Sequence, residues 1–300
     1  MAMTNYPNGF SGGVSVRGVP LVTTPIGSVF YVDSNIGADT GKGTIARPFK
    51  TIDYAIGRCT DSKGDVILVF PQHAETVTAA ITADVIGISI IGLGYGRDIP
   101  VITGNGAIDA MTITAAGVTV QNLEFAAPGT DAQTADINVA AANVALIGTR
   151  HIGSTTNKNK VDIITLAATA DDCLIDGARI YNSVVEVVGG ISIEGTCSRV
   201  EVCNCFVFDS IGFTSGAIYD GATALQLYIH HNVFTNIKAA TVVMEFGNNS
   251  TGVCSFNHIV GRHTTIASNV TAGTGMNFFE NRVVEEAALN GAIMPAADAE

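Results

Sequence analysis

Three acids in the second half of the chain, Glu194, Asp220 and Glu245, are spaced 26 and 25 residues apart, and each directly follows an alternating apolar run. If those runs stack as neighbouring strands, about 4.8 Å apart, the acids form one outward column in which Glu194 and Glu245 are separated by roughly 10 Å. Two carboxylates about 5–10 Å apart are what glycoside hydrolysis requires, the short separation for retention and the long one for inversion. Stacked acids also raise one another's pKa, which suits a general acid. Against catalysis stand the absence of Trp and the presence of a single aromatic, Tyr219, beside the column. The plainer reading is an acidic stripe that is solvated or faces a partner's cations, and a cation site is a third. No residue is therefore expected to be catalytic; if the chain is an enzyme, these three acids carry the chemistry.

The other chemistry-bearing residues give less. His230 and His231 precede His258 by 28 and 27 residues, so imidazoles could stack across coils and bind a metal with a third ligand from a second copy. Satisfied or outward histidines explain them as well. The loop over residues 33–44 holds Asp33, Asn35 and Asp39 but lacks the terminal Glu of a calcium loop, so turn chemistry is expected there. Gly92-Leu-Gly-Tyr-Gly96 resembles a dinucleotide fingerprint, yet no helix pattern follows it. No Gly-x-Ser-x-Gly elbow is present. The six Cys show no paired metal spacing, and Cys173 falls where Val118 and Val200 fall in their repeats, which reads as a buried free thiol. No cofactor and no metal site are expected.

The elements that must position these residues repeat. Residues 117–125 read Gly-Val-Thr-Val-Gln-Asn-Leu-Glu-Phe, a short alternating strand, a turn-prone Asn122 and a new apolar start. Val144-Ala-Leu-Ile-Gly148, Cys173-Leu-Ile-Asp-Gly177 and Val200-Glu-Val-Cys-Asn204 return the phrase, as do residues 227–232, 254–257 and 278–281 and, upstream, Ile88-Ser-Ile-Ile-Gly92. The Asn or Gly anchors fall at 92, 122, 148, 177, 204, 232, 257 and 281. Each period also holds a second β-branched run, such as residues 137–139, 163–164, 191–193, 217–219 and 242–244. A period near 25 residues with two or three short strands describes one coil of a parallel β-helix; a propeller blade needs about 40–50 residues. The expected fold is all-β: a right-handed parallel β-helix, a single-stranded solenoid of about eight or nine coils, with inward apolar columns and turn Asn ladders.

Composition agrees. The chain has 47 % hydrophobic and 14 % charged residues, with 33 Gly for frequent turns. A net charge of −12 argues against nucleic acid as a partner. No run has the length of a membrane span, and the start has neither a basic region nor an apolar core. Residues 1–27 carry one charged residue, Arg17, among Tyr6, Phe10, Val14, Val16, Val19 and Leu21, too apolar for a solvated tail. They read as an extended N-terminal arm laid on another surface; an edge strand folded onto the chain's own domain is the alternative. The solenoid then spans residues 28–284, with a cap at 28–60. In that cap Phe49, Ile52, Ala55, Ile56 and Cys59 share one helical face after Pro48, giving a capping helix that plugs the open end. Residues 282–289 read as a last strand or closing helix, and 285–300 as a C-terminal cap or tail.

The opening, Val32-Asp-Ser…Gly37-Ala-Asp-Thr…Gly43-Thr…Pro48-Phe-Lys-Thr-Ile-Asp-Tyr-Ala-Ile, with Pro71-Gln-His-Ala-Glu-Thr-Val and Ile88-Ser-Ile-Ile-Gly-Leu-Gly, resembles that of pectate-lyase-like β-helix proteins, many of them phage tailspikes and other virion proteins. The arm, Asn5-Tyr-Pro-Asn-Gly-Phe…Gly18-Val-Pro-Leu, resembles N-terminal arms of phage structural proteins. The resemblance implies a non-enzymatic phage virion protein, made in the host cytoplasm and placed in the virion. It would be a homotrimeric head decoration (cement) protein bound to the major capsid protein or other virion proteins through Tyr6, Phe10, Val14, Val16, Arg17, Val19 and Leu21. No nucleic acid and no membrane partner is expected. The alternatives are a tailspike depolymerase cleaving a host surface polysaccharide, and a glycan-binding virion β-helix. The last requires aromatic residues exposed on a lateral groove, whereas Phe206, Phe208 and Phe234 are expected in core or turn packing.

Overall fold

Alternating apolar residues at a 24–30-residue period have one way to stay dry: each strand must lie on its counterpart one coil away. The computed structural model has that arrangement. It describes residues 15–16, 19–20, 27–126, 128–129, 133–153, 160–182, 187–209, 212–247, 249–263, 268–284 and 292–294. The chain is an all-β parallel β-solenoid. Each complete coil gives one strand to each of three sheets, which with the terminal strands hold 10, 10 and 8 strands and are called sheets 1, 2 and 3 in that order. In sheet 1 the stacked positions Ile67, Ile90, Val120, Leu146, Ile175, Val202, Ile229 and Cys254 all point inward and are buried. Sheet 2 supplies Ile102, Phe125, His151, Ile180, Val207, Phe234, Ile259 and Val283 in the same way. Sheet 3 supplies Met111, Ile137, Ile164, Ile191, Ile218 and Met244. Cys173 lies buried in the core with Val118 and Val200, and all six cysteines are free thiols.

The turn from sheet 1 to sheet 2 carries a left-handed residue in each repeat: Asn122, Gly148, Gly177, Asn204, His231, Phe256 and Glu280, with φ between 51° and 68°. The first four are the anchors read from the sequence. The anchors Asn232, Asn257 and Asn281 are not in that frame but one residue later, and their fully buried side chains point inward. They form a ladder. Asn257 Oδ1 accepts from Asn232 N and Nδ2 at 3.0 and 2.9 Å, and Asn281 Oδ1 accepts from Asn257 N and Nδ2 at 3.0 and 2.9 Å. Asn257 Nδ2 also reaches Ile229 O at 2.9 Å. Backbone donors at the corner, which face no strand partner, are thereby satisfied from within.

The single α-helix among the described residues is Ile52–Ile56, five residues long. It begins after Thr51, whose Oγ1 accepts from Tyr54 N at 3.3 Å, so Pro48 lies outside it. Phe49, Ile52, Ala55 and Ile56 join the core and Cys59 is half-buried against it. The loop expected to show turn chemistry does so: Asp33 Oδ1 accepts from Asn35 N at 2.8 Å, and Asp39 Oδ1 from Lys50 N at 2.9 Å. In the leader only Ser15–Val16 and Val19–Pro20 are described, and they pair antiparallel. Of the residues expected to make the attachment, Tyr6, Phe10, Val14, Arg17 and Leu21, and the side chains of Val16 and Val19, lie outside the described residues. Near the other end Asn281–Val284 is a strand rather than a helix, and Ala292–Met294 returns antiparallel along it, closing that edge of sheet 2.

Removing the central rung tests the ladder. Asn257→Ala strands buried donors and acceptors on both neighbours, at about 1–3 kcal/mol each. It is expected to lower the unfolding free energy in urea by more than about 3 kcal/mol, against about 1 kcal/mol for Asn204→Ala at an exposed left-handed position.

Candidate functional site

The acids chosen from the sequence do not share a column. Tyr219 pairs with Ser192 on one side and Glu245 on the other, whereas Asp220 pairs with Ile193. Glu245, Asp220 and Glu194 thus occupy three successive levels along the strand direction. Asp220 faces inward, continuing the column of Leu166 and Ile193. It is 2 % exposed, accepts from Ala222 N at 3.1 Å and from the Ser250 hydroxyl, and works as a turn clamp. The sequence reading aligned each run on its terminal acid; a slip of one residue moves a side chain to the opposite face.

The outer face of sheet 3 nevertheless gathers carboxylates. Asn138 Nδ2 donates to Asp109 Oδ2 at 2.9 Å, and the Ser192 hydroxyl donates to Asp162 Oδ1. Both are diagonal contacts between adjacent coils, and the second has room because residue 189 is Gly: a Cβ there would lie 2.1 Å from Ser192 Oγ. Asp109 and Asp162 occupy the same strand position two coils apart, which is about 10 Å. Burial pushes the Asp162 carboxyl up to about 6, offset in part by the Ser192 hydrogen bond and reinforced by the charge of nearby Glu194. Asp109 Oδ1 and Asn138 Oδ1 are buried acceptors to which no group among the described residues donates. This face can hold a proton near neutrality and accept hydrogen bonds from a donor-rich ligand. Asp162 escaped notice in the sequence because it begins its strand, Asp162–Leu166, instead of ending an apolar run.

Sheet 2 presents aromatic rings. Phe206 and Phe208 stand on the outer face of Phe206–Asp209, 38 % and 40 % exposed, with centroids 6.4 Å apart and planes within 11°. Tyr181 is 6.1 Å from Phe206. Arg179, exposed, pairs with Phe206, and Arg150 pairs with Arg179 while bonding Glu124 at 3.0 Å. Core or turn packing was expected for three phenylalanines; it holds for Phe234, fully buried, and fails for the other two, which fall on outward positions of their strand. Further along the same corner, His231, Phe256, Asn257, His258, Glu280 and Arg282 line a groove of about 560 Å³. His231 and His258 both line it, but His258 lies opposite Val233, and His230 lies opposite Cys203 on sheet 1, so the histidine stack considered from the sequence does not form and the reading of satisfied or outward histidines holds.

Two buried clusters are closed to ligands. Lys160 Nζ donates to Asp136 Oδ2, Ala126 O and Ile152 O at 2.8, 2.9 and 2.6 Å. His151 Nδ1 lies 3.1 Å from Asp136 Oδ2, and its ring stacks on Phe125. Burial lowers both the His151 and the Lys160 pKa, with Asp136 opposing. His73 Nδ1 accepts from Ser34 N at 3.0 Å, leaving Nε2 to donate to Glu75 Oε2 at 3.1 Å. With both ring nitrogens engaged and the ring fully buried, His73 pins the opening loop and has no free nitrogen for catalysis.

No protein-family model matches the chain, and no curated protein matches it. Among solved structures it is similar to a rhamnogalacturonan lyase, with 11 % identity over 85 % of this chain and 87 % of that one and a TM-score of 0.46. It is also similar to the pectin methylesterase from Aspergillus niger, with 14 % identity over 88 % and 87 % of the two chains and a TM-score of 0.41.

The Asp162 carboxyl gives a signed pH dependence. Its pKa, about 6 in the folded chain, is raised from 3.8, so its stabilising contribution is complete below 3.8 and is lost as pH rises through 6. Asp162→Asn is therefore expected to raise the thermal midpoint at pH 8, by an amount equivalent to roughly 2–3 kcal/mol, and to leave it nearly unchanged at pH 3.5. Thermal unfolding followed at the two pH values checks this.

Proposed function

We propose that this chain is a non-enzymatic β-solenoid of a phage virion that binds a glycan on its lateral face. The observation that carries the binding role is the strip of exposed Phe206 and Phe208 with half-buried Tyr181 beside Arg179. Rings standing on neighbouring strands offer flat apolar faces to pyranose rings, and the guanidinium suits an acidic sugar. A solvent-exposed aromatic cluster on a sheet face marks an interaction surface. The virion setting rests on the resemblance of residues 28–284 and of the leader to phage proteins, and on the leader's composition. An extended 27-residue arm reaches up to about 90 Å and can bridge neighbouring subunits. On this reading the solenoid is right-handed, as parallel crossovers almost always are, runs to eight or nine coils, and is plugged at its first coil by Ile52–Ile56. Three copies assemble on the particle.

A second reading is favoured by the sheet 3 face: a polysaccharide hydrolase in which Asp162, carrying a proton near neutrality, is the general acid, with Glu194 or Asp109 as its partner. The two readings separate on one set of variants. Binding to a panel of bacterial capsular and O-chain polysaccharides is expected to weaken about tenfold for Phe206→Ala and for Phe208→Ala, which corresponds to ~1.4 kcal/mol, with no reducing ends released by the wild-type chain. Release of reducing ends that is lost in Asp162→Asn would overturn the non-enzymatic reading in favour of the hydrolase. Deleting residues 1–27 is expected to leave the circular dichroism of the solenoid intact and to abolish co-sedimentation with phage particles; a truncated chain that still decorates them at full occupancy would remove the tethering role.

A further inference from the structure

A separate constellation lies on the outer face of sheet 1, away from the aromatic strip. Glu201 and Cys203 are two apart on the strand Glu201–Cys203, so their side chains leave the same face. His230 sits directly opposite Cys203 on the next coil. The carboxylate oxygen, the sulfur and an imidazole nitrogen all lie within 4.8 Å of one another. We propose that Glu201, Cys203 and His230 form a binding site for one divalent transition-metal ion of the zinc type, independent of any glycan. Zinc takes such a mixed O, S and N set at about 2.0–2.3 Å, which corresponds to ligand–ligand edges of roughly 3.3–3.8 Å. The three atoms therefore need to move by less than an ångström to close on an ion.

The surroundings hold the ligands in place. His230 Nε2 lies 2.9 Å from Glu201 Oε1, and Nδ1 lies 2.8 Å from His231 Nδ1. Tyr228 covers the His230 ring at 4.0 Å between centroids, and His231 in turn stacks on Phe256 at 5.2 Å. With an ion on Nε2, His230 Nδ1–H donates to His231, the outer-shell contact that fixes the tautomer of metal-bound histidines. Cys203 is also unlike the other thiols. Cys173, Cys197, Cys205 and Cys254 belong to the hydrophobic core, whereas Cys203 sits on the outer face between Asp176 and His230. A bound dication takes the proton's place on sulfur, and that proton goes to solvent, while the single imidazole proton of His230 is carried on Nδ1 instead of Nε2. Three protein ligands leave a fourth position for water.

The test is titration of the untagged full-length chain, stripped with EDTA and desalted, with Co²⁺ and Zn²⁺ alone. One equivalent of Co²⁺ is expected to bind and to develop a thiolate-to-cobalt charge-transfer band, which Zn²⁺ bleaches. Cys203→Ser is expected to abolish the band, and Glu201→Gln and His230→Gln to weaken Zn²⁺ binding at least tenfold. His231→Gln should weaken it about 10–100-fold, as outer-shell changes do. Cys173→Ser, a core thiol, serves as the reference and should keep the band. Because Glu201 is only half-buried, Glu201→Gln is expected to fold whatever happens to Cys203→Ser, and circular dichroism reports folding for each variant. Absence of a saturable one-to-one complex at micromolar metal would overturn the site, as would affinity unchanged in both Glu201→Gln and His230→Gln.

Discussion

The whole molecule depends on one constraint: every residue that points into the coil stands directly on its counterpart in the coils before and after it. Backbone donors and acceptors are consumed by those neighbours, so an inward side chain finds no water and little spare backbone. Aliphatic columns satisfy that constraint at almost every level. Several polar groups that intrude are matched by one another or by a local turn: Asn232, Asn257 and Asn281 by one another, Asp220 by Ser250 and Ala222 N, and Asp136 by Lys160 and His151. A half-matched polar group here would cost more than an apolar one. The charged cluster sits where the chain leaves sheet 2 after Ala126 and Ile152; Lys160 gathers both of those carbonyls, so it fastens two excursions at once.

The same constraint leaves the outer faces free to differ. Outward positions repeat at the coil spacing but need not match, and the three sheets have diverged. Sheet 1 brings a carboxylate, a thiol and an imidazole together. Sheet 2 carries rings and guanidinium groups, and sheet 3 carries hydroxyls, amides and acids. Each grouping draws its members from adjacent coils some 25–30 residues apart in sequence, and the vertical spacing of about 4.8 Å is short enough for side chains to touch.

That arithmetic explains what was legible beforehand. The period, the inward columns through Val118, Val120 and Val200, the helical face of Phe49, Ile52, Ala55 and Ile56, and the turn role of Asp33 and Asp39 all follow from patterns within one repeat. Outer-face chemistry requires the register between repeats to the single residue. Alignment on the terminal acid placed Glu194 level with Asp220, but the strands pair Ile193 with Asp220. The Cys203–His230 contact was missed for the same reason, since it exists only once the coils are stacked in register, and Asp162 was missed because it begins a strand. Phe206 and Phe208 were misplaced because an apolar residue in a strand is read as core by default, although the valine between them, Val207, is the one that points in.

The corner between sheets 1 and 2 joins these threads. A left-handed backbone suits Gly and Asn, which occupy it in Asn122, Gly148, Gly177 and Asn204; in the last repeats it is held by His231, Phe256 and Glu280, at about 1–2 kcal/mol each. Each of these is followed at once by a ladder asparagine, Asn232, Asn257 or Asn281, whose buried hydrogen bonds pin the corner from inside. The fixing of the turn has passed from the left-handed residue to its successor. The left-handed position is then released from supplying Gly or Asn and can present an imidazole, a ring and a carboxylate to solvent. Those are the side chains that line the 560 Å³ groove, and one of them, His231, braces His230 on the adjoining face. Strain kept at such positions by a stronger local network is a feature of sites more than of scaffolds, and here the asparagine ladder and the outward chemistry are two sides of the same three turns.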